Sequence, residues 1–215
     1  MKPVHLILAL IFLSACKNNT SKKVQNKLDS ETIVKDTTVV QATNDAEVKN
    51  WSDDFENFRE AVYSKDIKKL KTYFDFPVAD EGASIWTLCN LTEAEIRTRK
   101  SKFKNPDLFY EQDLEQYYSR IFNADFVKTL LKIKSDQLYE THYNETPQVT
   151  TTDTKYQLIA EYNKTSKILS LNLAYSNNAK DEEGNEVSEG ENNIIYSFIV
   201  IDGKHLKFKR VDIAG

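Results

Sequence analysis

The residues best placed by type to do chemistry are few. His142 and Glu140 stand two positions apart in a stretch rich in β-formers, Leu138 to Tyr143. On a strand that spacing puts both side chains on one face, where a carboxylate can orient an imidazole for general-base work. His205 sits beside a turn, between Lys204 and Leu206, and reads as a solvent-facing strand residue. A thiol paired with either histidine would make a nucleophile and base. The sequence around Cys89 matches no such signature, so Cys89 reads as core filling. The run Asp181, Glu182, Glu183, Gly184, Asn185, Glu186, Glu189 and Glu191 offers hard oxygens for calcium. It lacks the alternating oxygen pattern ahead of the glycine and reads as a solvated hairpin loop. Tyr110, Tyr117, Tyr118 and Trp86 offer stacking faces for a ligand, although aromatic residues at helical spacing usually form core. No phosphate-binding glycine loop and no paired-cysteine metal motif occurs, so no cofactor and no metal is expected.

These side chains depend on a domain that begins abruptly. Trp51, Phe55, Phe58 and Val62 recur at helical spacing, with Asp53 and Glu56 making a capping-box-like start. Asp66 N-caps a second helix carrying Ile67, Leu70 and Tyr73, which ends before Phe76-Pro77. Gly82 to Asn90 reads as a short strand on the strength of Ile85, Trp86 and Leu88. Thr92 and Glu95 form a fresh capping box, and Tyr110, Leu114, Tyr117, Tyr118 and Ile121 continue at helical spacing to a break near Asn123. Past Ser135 the period falls to two. Leu138 to Tyr143, Tyr156 to Tyr162 and Lys167 to Tyr175 read as strands, and Asp202-Gly203 joins two more, Asn193 to Ile201 and Lys204 to Val211. Helices first and strands afterwards, joined by turns too short for crossovers, predict an α+β fold with N-terminal helices on a C-terminal curved antiparallel β-sheet.

The chain has 215 residues, 40% hydrophobic and 11% aromatic, enough for one packed core. Its formal net charge of −4, without a basic stretch, argues against nucleic acid as a partner. Residues 17 to 50 hold no aromatic residue, glycine or proline and read as a solvated tether. As a flexible coil it would span about 30 Å.

Ahead of the tether, Lys2, an apolar stretch from Val4 to Leu13 interrupted by His5, and small residues Ser14 and Ala15 have the layout of an export signal. The apolar stretch is about half the length of roughly twenty residues that a membrane-spanning helix requires. Leu13-Ser14-Ala15-Cys16 resembles the lipobox of bacterial lipoproteins. The resemblance implies that a diacylglycerol is attached to the Cys16 thiol and that the chain is cut before it. It divides the chain into a signal peptide at 1–15, a lipidated Cys16 with its tether at 16–50, and one α+β domain at 51–215. It also implies a membrane anchor in the cell envelope, with the outer membrane preferred because Lys17 is not an obvious inner-membrane retention residue. The element order from Trp51 to Gly215, with the Phe55, Phe58, Val62, Asp66 and Leu70 pattern, is similar to NTF2-like or cystatin-like cone folds. The whole layout resembles small lipoproteins of Bacteroidetes-type bacteria. Together these resemblances imply a non-catalytic domain that binds a small ligand or an envelope protein. The alternative is an envelope hydrolase or isomerase using His142 with an acidic partner.

Overall fold

Alternation of large apolar residues with small or polar ones builds the sheet that organises this domain. The computed structural model describes residues 47–80, 82, 84–184 and 191–215. The expectations for Cys16, the signal and most of the tether lie outside them. In the described residues the sheet comprises β1 (Tyr143–Glu145), β2 (Val149–Thr150), β3 (Thr154–Asn163), β4 (Ile168–Asn177), β5 (Asn192–Ile201) and β6 (His205–Ala214). All pairings are antiparallel, in the order β1-β3-β4-β5-β6, with β2 also on β3. Leu169, Leu171 and Leu173 are fully buried while Ser170, Asn172 and Ala174, which alternate with them, are half-buried on the other face. Asp202 and Gly203 both take positive φ, 52° and 67°, as the tight turn between right-twisted strands requires. A bulge at Ser197/Phe198 shifts the β5–β6 register and bends the sheet locally.

Seven helices occur among the described residues: α1 (Trp51–Ser64), α2 (Ile67–Lys71), α3 (Ser84–Cys89), α4 (Glu93–Lys102), α5 (Glu111–Ile121), α6 (Ala124–Leu130) and α7 (Ser135–Thr141). The architecture is therefore α+β, helices first and antiparallel sheet after. Aromatic rings knit the layers together. Phe58 of α1 meets Phe198 of β5 at 4.8 Å, Phe126 of α6 meets Tyr196 at 4.3 Å, and Phe74 stacks on Phe208 of β6 at 4.7 Å. Polar pins supplement them. Asp54 is buried and accepts from the Leu206 N–H at 2.7 Å and the Tyr73 hydroxyl at 3.2 Å, fastening α1 to the start of β6.

Several sequence expectations hold locally. Asp66 caps α2 through the Lys69 N–H, Thr92 and Glu95 form the reciprocal capping box of α4, and the break expected near Asn123 separates α5 from α6. Others need correction. The N-cap of α1 is Asn50 with Asp53 as its third residue, because the box requires that spacing, whereas Glu56 accepts from the Ser135 hydroxyl. The expected strand at Gly82 to Asn90 is helix α3 in its described part. Asp80 accepts the Ile85 and Trp86 N–H groups at 3.1 and 3.2 Å, satisfying first-turn donors. Ile85 and Cys89, four apart, are the buried pair there, and this tertiary demand overrides the β preference of the segment. Leu138 to Tyr143 is likewise mostly helix, α7, with only Tyr143 entering β1. Leu138 plugs the core while Tyr139 and Glu140 face solvent.

Candidate functional site

The change of α7 from strand to helix dismantles the expected acid-base pair. Glu140 lies in the last turn of the helix, and His142 is its C-cap residue in the left-handed region, φ 64°. The two therefore do not share a pleated face, and no hydrogen bond joins their side chains among the described residues. His142 is half-buried, its ring 5.6 Å from that of Tyr162. His205 is exposed on β6, its Nδ1 3.9 Å from an Asp54 oxygen that the Leu206 N–H already uses. Cys89 is fully buried, and burial pushes its thiol up to about 12, so it stays protonated. The charges acting on it are those of Arg120, Asp113, Asp80 and Arg99, none a histidine. Of the acidic run, Asp181 to Gly184 and Glu191 are described. Among the described residues no group of His, Cys, Asp and Glu is arranged to hold a metal ion.

The aromatic residues that offered stacking faces divide. Tyr117 and Tyr118 are buried, and the Tyr118 hydroxyl donates to the Val62 carbonyl, so both belong to the core. Tyr110 stacks on Phe103 at 4.4 Å and a 6° interplanar angle. It is half-buried and borders an open groove of about 490 Å³ with Lys71, Phe76 and Glu111, whereas Trp86 is half-buried beside a groove that a locked loop shapes. Trp86 lines this groove of about 440 Å³ with α3 on one side and α4 and the 106–107 segment on the other. Leu91, Ile96 and Pro106 add apolar surface, and Asn90, Lys100 and Asp107 supply polar groups.

The groove is held by Arg99, a residue that sequence reasoning missed. The guanidinium of Arg99 lies 3.8 Å from the Trp86 ring centroid and 4.9 Å from that of Phe103. It is buried, pairs with buried Asp113, and donates through Nε and Nη2 to the Pro106 carbonyl and through Nη2 to Leu108, at 2.8 to 3.2 Å. One side chain thus moulds the loop between α4 and α5 around the indole. Trp86 Nε1 in turn donates to the Asp107 carbonyl at 2.8 Å, fixing the ring's orientation. The backbone pairing of Val78 with Phe109 ties the same loop to the main body. The only advance sign was the Lys/Arg-rich last turn of α4, and such a turn ordinarily reads as a solvated helix end.

A second ion pair braces the outer side of this layer. Arg120 of α5 reaches Glu95 of α4 at 2.8 Å and also donates to the Cys89 carbonyl at 2.8 Å. Hydrogen bonds from Arg120 and from Thr92 hold the Glu95 carboxyl down to about 2. A pre-shaped groove of this size, with a locked aromatic wall and few polar groups, can bind a small, partly apolar molecule. Such pockets measure about 300–1,000 Å³. Against known proteins the chain matches no family model, no curated protein and no solved structure.

Proposed function

We propose that this chain is a lipid-anchored protein of the cell envelope whose domain binds a small amphipathic ligand in the groove beside Trp86. The observation that carries the binding half is the groove itself. Its indole wall is immobilised by Arg99 and the Asp107 carbonyl, so little side-chain freedom is lost when a ligand arrives. Asn90 and Lys100 then favour a ligand bearing an acceptor or anionic group beside its apolar part. The anchor half is supported by Leu13-Ser14-Ala15-Cys16 and the apolar stretch before it. No helix of the described residues is long and apolar enough to cross a membrane, and the acyl chains of Cys16 are the proposed attachment. The outer membrane is the proposed location. The histidine-based catalytic alternative draws no support from the positions of His142 and Glu140.

The test is native mass spectrometry on the protein extracted in mild detergent from its own host, alongside labelling with radioactive palmitate. A stoichiometric small adduct that Trp86→Ala abolishes while the fold persists is the expected result. A bare monomer, or a co-purifying protein retained by Trp86→Ala, would sink the groove reading. Absence of label, or label persisting in Cys16→Ala, would sink the anchor reading.

A further inference from the structure

The two central strands of the sheet carry no charge. Neither β4 nor β5 contains an Asp, Glu, Lys or Arg, in a chain that is 29% charged. One face of this pair packs under the helices, and the strand residues of the core come from it. The other face presents Ile168, Ser170 and Asn172 of β4, paired in that order with Ile199, Ser197 and Ile195 of β5. None of the three isoleucines joins the core, so among the described residues this face has no second layer. A sheet face turned to water ordinarily alternates in strongly polar residues, and isoleucine is a residue of interiors.

Charge returns at the two margins of this face, with opposite signs. Seven rows, those of Ile168 to Ala174, run unbroken across β3, β4, β5 and β6. Within them the β3 side carries Glu161, and Glu145 stands beyond it on β1, opposite Ile159. The β6 side carries Lys207, Arg210 and Asp212, and the bulge adds exposed Lys209. Lys207 is held by Asp75 at 2.9 Å and Arg210 by Asp212 at 2.8 Å. With those pairs set aside, Glu145 and Glu161 remain on one margin and Lys209 on the other, none of them in an ion pair among the described residues. Lys164, Lys167, Asp202 and Lys204 lie in turns beyond one end of the rows, and Lys155 lies beyond the other.

We infer that two copies of this chain pack these faces together about a two-fold axis running along the strands between β4 and β5. That axis lays β4 on the partner's β5 and β3 on the partner's β6. Glu161 then meets Lys209 of the partner subunit, and the contact occurs twice in the dimer. A two-fold axis across the strands would lay β3 on β3 and oppose like charges, so the margins select the first arrangement. Sheets stacked in this way sit about 10 Å apart with their strands aligned to within about 30°. Four strands about 4.8 Å apart, over seven rows at about 3.4 Å each, give a flat footprint of roughly 450 Å² per copy. Two copies bury roughly 900 Å² before the relief of the side chains and exposed Tyr143 of β1 are added, close to the lower bound of about 1,200 Å² for specific interfaces. The consequence is a weak dimer, with a Kd on the order of 10 µM. It requires neither the groove ligand nor the anchor.

The test is sedimentation velocity from about 1 to 500 µM on the chain from residue 16 onward carrying Cys16→Ala, which has no acyl group at that position. A monomer–dimer equilibrium is expected, abolished by Ile195→Glu while the circular dichroism stays native. Lys209→Glu and Glu161→Lys should each weaken the dimer about tenfold, and the two combined should return it to within about threefold of the parent, since opposite signs meet again. A monomer at every concentration would overturn the inference. So would a dimer that Ile195→Glu leaves intact, which would put the contact on another surface. Weakening by both single reversals without recovery in the combined variant would overturn the two-fold arrangement. A different protein that co-purifies with the native chain from its host, and is lost with Ile195→Glu, would give the face to that protein instead of a second copy.

Discussion

The guanidinium of Arg99 lies over the Trp86 ring at 3.8 Å while its nitrogens tie down Asp113 and the carbonyls of Pro106 and Leu108. Groove wall, loop shape and helix packing thus share one buried cation, and the consequences of removing it are specific.

Arg99→Ala strands the Asp113 carboxylate in the interior and frees the 103–110 loop. A loss of about 3–5 kcal/mol is expected, the range for breaking a buried pair from one side. Urea unfolding monitored by circular dichroism checks it. Apolar replacement of both partners should cost much less, because no unpaired charge is left behind.

Arg120→Ala should release the Glu95 carboxyl from about 2 toward its ordinary 4.5, read by carbon-detected NMR titration. A carboxyl whose folded pKa lies below its unfolded one stabilises the fold fully above the unfolded value. That contribution fades as pH falls from about 4.5 toward 2. Melting temperature should therefore drop less steeply with acid in the variant than in the parent over that window.

Cys89 should be silent toward a thiol reagent in the folded Cys16→Ala chain and react fully once unfolded, since burial keeps the thiol protonated up to about 12. Rapid labelling under native conditions would contradict its place at the base of α3.

Lys65 ends α1 with φ 56° and ψ 36°, a conformation glycine adopts without strain. Lys65→Gly should stabilise by about 0.5–1 kcal/mol. It also forfeits the Lys65 ammonium 5.7 Å from the Tyr118 ring, a weak contact at this exposed site. Chemical denaturation gives the sign directly.

His142→Ala should leave the fold and any biological phenotype intact, because the imidazole packs against Tyr162 and shares no hydrogen bond with Glu140. A complete loss of phenotype with unchanged melting temperature would revive the catalytic alternative.

Where local interactions suffice, the sequence determined the outcome by itself. The Thr92–Glu95 and Asp66 caps, the Asp202-Gly203 turn, and the alternation of Leu169, Leu171 and Leu173 each depend on neighbours a few residues away or on one buried face. The helices-then-sheet order followed from them. Tertiary structure decided the rest. Ile85, Trp86 and Leu88 favour a strand in isolation, but the Asp80 carboxylate and the need to bury Ile85 with Cys89 make α3. Tyr139 and Thr141 suggest a strand too, yet Leu138 enters the core from a helix, which moves His142 to a cap and parts it from Glu140. The Trp86 groove is non-local in the same sense. It needs Arg99 from one helix, Asp113 from another and carbonyls from the loop between them to converge on one indole. No spacing in the chain encodes that meeting, because packing and burial energies select it only after the elements have formed.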